Sequence, residues 1–122
     1  MREIVHERDV PLTEAPLREG HHGGQIRYVF TKDTVDSRRL RLLVQEYPAG
    51  AYTVAAEHGV HPSMEQAYYI LEGEMELELG AERRRIGPGT FVYIRPGMPH
   101  GHRNPGPGLL RFVTFNCRWE DQ

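Results

Sequence analysis

Apolar and polar residues alternate along this chain in short runs, and Gly or Pro interrupts the runs at nearly regular intervals. A strand turns successive side chains to opposite faces, so this pattern suits short, half-buried strands and not the stripe of a helix, whose period is about 3.6. The cleanest example is Glu74-Met75-Glu76-Leu77-Glu78-Leu79, with Met75, Leu77 and Leu79 on one face and three glutamates on the other. Further strands are expected over 25–31, 39–47, 52–57, 66–72, 82–86, 91–94, 100–103 and 109–116. Turns are expected at Glu72-Gly73, Gly80, Gly87 to Gly89, Pro96-Gly97 and Asn104 to Gly108, where Gly supplies positive φ and Pro presets the bend. No segment reads as a convincing helix. The pattern specifies an all-β sandwich or barrel of eight or so strands.

A chain of 122 residues is large enough for one core and too small for two, so residues 1–122 are expected to form a single domain. Residues 25–117 carry the barrel pattern, and 1–24 read as an arm or edge strand suited to a dimer contact. Within that arm Gly20-His21-His22-Gly23-Gly24 reads as a flexible loop, and His6, His21 and His22 as solvated side chains. Fifteen basic and seventeen acidic residues leave a formal charge of −2, with no basic run long enough to follow a phosphate backbone. Nucleic acid is therefore not an expected partner, and neither is a membrane, because no apolar run approaches the roughly 18 residues of a span. The opening residues lack the apolar stretch of a signal peptide, and the lone Cys117 makes no intrachain disulfide, so a cytoplasmic location is expected.

Two separated stretches hold side chains that bind first-row transition metals. The first is His58-Gly59-Val60-His61 with Glu65-Gln66 and Glu72-Gly73, and the second is Arg95-Pro96-Gly97-Met98-Pro99-His100 ahead of Asn104. Each lies on strand-patterned sequence and runs into a turn that would bring the chain back past its partner.

With these residues the chain resembles the cupin superfamily, small double-sheet jelly rolls also described as double-stranded β-helices. In the first cupin motif an H-x-H pair precedes a glutamate and then a glycine. Here His61, Gln66 and Gly73 keep the spacing, while Gly59 stands at the first histidine position and Gln66 at that of the glutamate. The second motif maps onto Gly89, Arg95, Gly97, His100 and Asn104, with its proline displaced to Pro96. The resemblance implies a jelly-roll barrel of about eight or more short antiparallel strands, holding one divalent metal from zinc, nickel, manganese or iron. It also implies a homodimer.

Strand parity then sorts the ligand candidates. Gln66 shares a face with Tyr68 and Ile70 and points into the barrel, whereas Glu65 points away. His100, His102 and Asn104 share a face in the same manner. His61, Gln66 and His100 would anchor a metal with positions left open, the form of a catalytic site. By analogy with the motif His58 would complete the shell if a bulge at Gly59 turned it inward, and Glu57 is a second candidate. His102 and Tyr68 are the candidates for proton handling, while Arg95 and Arg111 are surface residues able to meet an acidic substrate at the barrel mouth.

A neutral amide leaves a divalent ion its full +2 charge, which favours Lewis-acid chemistry over the two-histidine, one-carboxylate pattern of oxygenases. The leading expectation is non-redox isomerisation, ring opening or cyclisation of a small oxygen-rich metabolite, a sugar acid or polyketide-like compound, as in the uronate-linearising and polyketide-cyclase cupins that the chain resembles. The alternatives are an iron-dependent dioxygenase and a non-catalytic cupin that binds a sugar or metabolite.

Overall fold

The computed structural model describes residues 2–55 and 61–120. Among these the strands are β1 (Leu12–Glu14), β2 (His21–His22), β3 (Gln25–Phe30), β4 (Leu40–Tyr47), β5 (Tyr52–Thr53), β6 (Met64–Glu72), β7 (Met75–Leu79), β8 (Glu82–Ile86), β9 (Phe91–Ile94), β10 (His100–Arg103) and β11 (Leu110–Arg118). They form two antiparallel sheets, ordered β1-β3-β4-β11-β6-β9 and β2-β5-β10-β7-β8. The sheets make a jelly roll whose barrel is not closed.

The alternation seen in the sequence sets which side chains face the interior. Met64, Gln66, Tyr68 and Ile70 of β6 are buried, as are Leu110, Phe112, Thr114 and Asn116 of β11. Register stacks these positions into rows that cross the sheet. Asn116 lies opposite Arg41 of β4 on one side and Gln66 of β6 on the other, and Gln66 lies opposite Ile94 of β9. Tyr47, Tyr68, Phe112, Met75 and Leu110 are all under 2% exposed and form the main core with Ile70, Val92 and Ile94. Each large side chain so buried contributes roughly 1.5–3 kcal/mol.

The N-terminal segment, read as an arm or edge strand, carries two edge strands. It supplies an edge strand to each sheet, β1 beside β3 and β2 beside β5, with His21 opposite Thr53. The expected flexible loop at Gly20 to Gly24 is thus partly strand, because burial of the His21 ring and a side-chain hydrogen bond fix it in place. Arg27 ties the segment down, donating to the carbonyls of Glu7 and Val10 and pairing with Glu46 at 3.0 Å. Residues 32–35 form a single helical turn, α1 (Lys32–Val35), closed at its N-terminus by a capping box in which the Thr31 hydroxyl accepts from the Asp33 N–H and the Thr34 hydroxyl accepts from the Thr31 N–H. One turn is too short to leave a periodic trace in sequence.

The hairpin joining β6 to β7 depends on Gly73, whose φ is +78°. A Cβ there would stand 2.3 Å from the Leu109 carbonyl oxygen, so only glycine fits both the turn and the neighbouring chain. Among the described residues no helix is long and apolar enough to cross a membrane.

Candidate metal centre and cavity

The two motif-bearing stretches come from different sheets. β6 follows the first and belongs to the six-stranded sheet; β10 opens within the second and belongs to the five-stranded one. Their loops meet where the Gly97 N–H donates to the His61 carbonyl at 3.1 Å. The His61 and His100 rings then lie 6.1 Å apart, centroid to centroid, and His100 stands 6.3 Å from the Tyr68 ring. His100 Nδ1 lies 3.0 Å from the Met98 carbonyl oxygen. A carbonyl only accepts, so Nδ1 donates, and a neutral ring then presents Nε2 as its lone-pair nitrogen.

His61, Gln66 and Tyr68 line an interior cavity of about 170 Å³, together with Gln45, Thr114 and Asn116. Gln66 is 6% exposed and inward, as its parity requires. Glu65 faces the other way, where its carboxylate accepts a hydrogen bond from the Tyr93 hydroxyl at 3.1 Å. Three buried polar atoms of this wall, Tyr68 Oη, Gln45 Oε1 and Asn116 Oδ1, have no hydrogen-bond partner among the described residues. Leaving such groups unsatisfied costs about 1–3 kcal/mol each, so these three atoms call for polar partners that the described residues do not supply. Burial raises the Tyr68 phenol well above its usual range, which keeps it protonated.

Among the described residues no group of three His, Cys, Asp or Glu side chains gathers into a metal cluster. The donor set that is present is two imidazoles and one amide. Two imidazoles 6.1 Å apart, with the Gln66 amide inward on the cavity that His61 lines, are chemically suited to a divalent transition metal. His58 and the alternative Glu57 lie outside the described residues.

His102 takes a different place. It packs against Tyr47, Phe112 and Tyr68, at centroid distances of 5.0, 5.1 and 5.5 Å, and is not on the cavity wall. Asn104, the last residue of the second motif, acts on the backbone: its Nδ2 donates to the carbonyls of Tyr47 and Gly108, and its Oδ1 accepts from the Gly106 N–H. Arg111 is bound by Glu7 at 2.7 Å and Glu46 at 3.6 Å, away from the cavity.

The reading of His21 and His22 as solvated is corrected. His21 is 3% exposed, lines the cavity and shares a 2.7 Å hydrogen bond with the Tyr47 hydroxyl, while His22 stacks on Tyr52 at 4.7 Å. His6 is exposed, and its ring accepts from the Arg8 N–H. Gln45, Thr114, Asn116 and Arg41 also escaped the sequence reading, although polar residues at inward positions of β4 and β11 were a visible signal. A wider concavity of about 520 Å³ lies on the five-stranded sheet, where Glu76 pairs with both Arg85 and Arg103 in solvent.

The sequence matches the family described as Cupin domain over residues 43–116, more than half of the chain. The chain belongs to the cupin family. It is 34% identical over 80 residues to the dimethylsulfoniopropionate lyase DddQ of Ruegeria pomeroyi, a match covering 65% of this chain and 38% of the lyase. The chain thus spans well under two thirds of the length of that relative. The fold is similar to that of a predicted oxalate decarboxylase from Thermotoga maritima, with a TM-score of 0.82 at 18% identity, covering 94% of this chain and 98% of the other. It is also similar to the polyketide cyclase RemF from Streptomyces resistomycificus, with a TM-score of 0.80 at 24% identity, covering 98% of this chain and 82% of that one.

Proposed function

We propose that this cupin is a metal-dependent enzyme performing non-redox chemistry, an isomerisation, ring opening, elimination or cyclisation, on a small oxygen-rich metabolite. The observation that carries the reading is the convergence of His61, Gln66 and Tyr68 on one polar cavity with His100 beside them. His61, Gln66 and His100 would hold one zinc, nickel, manganese or iron ion, with His58 completing the shell. When bound, that ion supplies Lewis-acid polarisation of a substrate oxygen, undiminished by any carboxylate from Gln66. Tyr68, kept protonated by burial, donates a hydrogen bond from its hydroxyl to an oxygen in the cavity. His102 orients the Tyr68 ring by edge-on contact at 5.5 Å and reaches the reacting centre only through it. The orphaned Gln45 and Asn116 oxygens accept hydrogen bonds from substrate hydroxyls. That a lyase, a predicted decarboxylase and a cyclase are among similar proteins supports bond-rearranging chemistry on a small molecule.

The same reading takes the chain as one cytoplasmic domain that pairs with a second copy. Phe91 and Tyr93 of the edge strand β9 are 78% and 57% exposed, an apolar surface that a homodimer would cover. Elemental analysis of untagged protein tests the centre. One transition metal per chain, lost in His100→Ala, is the expected result. No metal after reconstitution with zinc, nickel, manganese or ferrous ion would make the barrel a binding module and end the Lewis-acid reading.

A further inference from the structure

The cavity that holds Gln66 and Tyr68 is bounded at its outer end by arginine. Its charged wall residues are Arg18, Glu19, Arg41 and Arg118, three positive against one negative, a net of 3 − 1 = +2. Among the described residues none of these three arginines makes an ion pair, whereas Arg27, Arg85, Arg103 and Arg111 all do. Arg41 and Arg118 stand at the outermost inward-parity positions of β4 and β11, so the strands aim them toward the cavity and not the outer face. Arg41 is further fixed by the Tyr28 ring, its guanidinium carbon 5.7 Å from the ring centre. A recess of about 490 Å³, walled by Thr31, Lys32 and Asp33, shares Tyr28, Arg41 and Arg118 with the cavity.

We propose that the ligand is an anion, a hydroxylated carboxylic acid whose carboxylate is held by Arg41 and Arg118 and whose oxygens enter the cavity. This rests on the small-molecule site described above and adds its charge class and the residues that read it. A guanidinium matches a carboxylate with two parallel N–H donors, and unpaired arginines beside a partly enclosed polar cavity keep that capacity for a guest. The interior wall supplies the second requirement. Gln45, Tyr68 and Asn116 are 4%, 1% and 8% exposed, all three line the same cavity, and each has a polar atom without a partner among the described residues. The rows of the sheet set the length of the guest. Arg41 and Gln66 flank Asn116 in one row, two strand spacings apart, or roughly 10 Å between Cα atoms. The interior space of about 170 Å³ is smaller than the roughly 300 Å³ at which drug-sized sites begin, which suits a short acid.

Calorimetric titration of the full chain, metal-free and zinc-loaded, with D-galacturonate against D-galactose and D-glycerate against glycerol tests this. The acid of each pair should bind about tenfold more tightly than its neutral partner. Arg41→Ala and Arg118→Ala should each remove most of that preference while zinc stoichiometry stays unchanged, and Arg41→Lys should restore part of it. Arg118 is exposed, so its variant keeps the test sound if Arg41→Ala does not fold. Equal affinity for acid and neutral partner, no binding of either acid, or an undiminished preference in both alanine variants would each overturn the proposal. Charge preference without binding of zinc, nickel, manganese or ferrous ion would remove the Lewis-acid reading and leave the anion site standing. Zinc binding without charge preference would do the opposite.

Discussion

The imidazole of His21 and the hydroxyl of Tyr47 share a 2.7 Å hydrogen bond that joins the edge strand of one sheet to an inner strand of the other. Both partners are buried, so Tyr47→Phe takes a hydroxyl from an imidazole that water does not reach. The expected cost is about 1–3 kcal/mol, read as a lower urea midpoint at unchanged slope.

Tyr68→Phe should behave differently, although Tyr68 is as deeply buried. Its hydroxyl has no hydrogen-bond partner among the described residues, so its removal leaves nothing newly unsatisfied. Stability should stay within about 1 kcal/mol of the parent or rise. Activity, once a substrate is in hand, should fall by tenfold or more, about 1.4 kcal/mol of barrier. Parent-like turnover in a folded Tyr68→Phe would remove Tyr68 from the chemistry.

Burial lowers the proton affinity of His21 from the usual 6.5, with Glu19 opposing and His22 reinforcing the shift. The unfolded chain therefore binds more protons at this residue just below pH 6.5, and folding stability falls as pH drops through that window. His21→Gln should flatten this part of the profile. The difference between the two proteins, measured as thermal midpoints from pH 7.5 to 5, isolates His21 from the other histidines.

Asn104→Ala should prove a structural lesion. The side chain makes three hydrogen bonds to the backbone around the 104–108 loop while 1% exposed. At roughly 0.5–1.5 kcal/mol each, about 2–4 kcal/mol of stability should be lost. Metal content per folded chain should not change, which would separate the motif's asparagine from its histidine.

The bounds of strands β8, β9 and β10 were legible to the residue, since flanking turn residues mark their ends, and in β9 alternation marks the faces as well. The inward direction of Gln66 and the outward direction of Glu65 followed from the same parity. β2 was not legible, because two histidines between glycines have no period to read, and their burial depends on Tyr47 and Tyr52 far along the chain. Arg41 and Asn116, which the sequence reading passed over, have the same inward parity on their strands as Gln66, but that the three share a row depends on a pairing between β4, β11 and β6 that local pattern does not encode. His102 shows the limit of parity alone: it is buried, as expected, yet it packs among the Tyr47, Phe112 and Tyr68 rings and does not line the cavity.

His61, Gln66, Tyr68 and His100 all fall inside residues 43–116, the span that matches the family, whereas Arg18, His21, Tyr28, Arg41 and Arg118 all fall outside it. The cavity is thus assembled from two sources, an inherited anchor and a flanking frame contributed by both ends of the chain. Exchange of those flanks between cupins should carry ligand charge preference from one protein to another while the anchor stays in place. Trimming this chain to its family core would keep the candidate metal-holding side chains and the polar wall of Gln45, Thr114 and Asn116, and discard the arginines proposed to read the charge of the ligand.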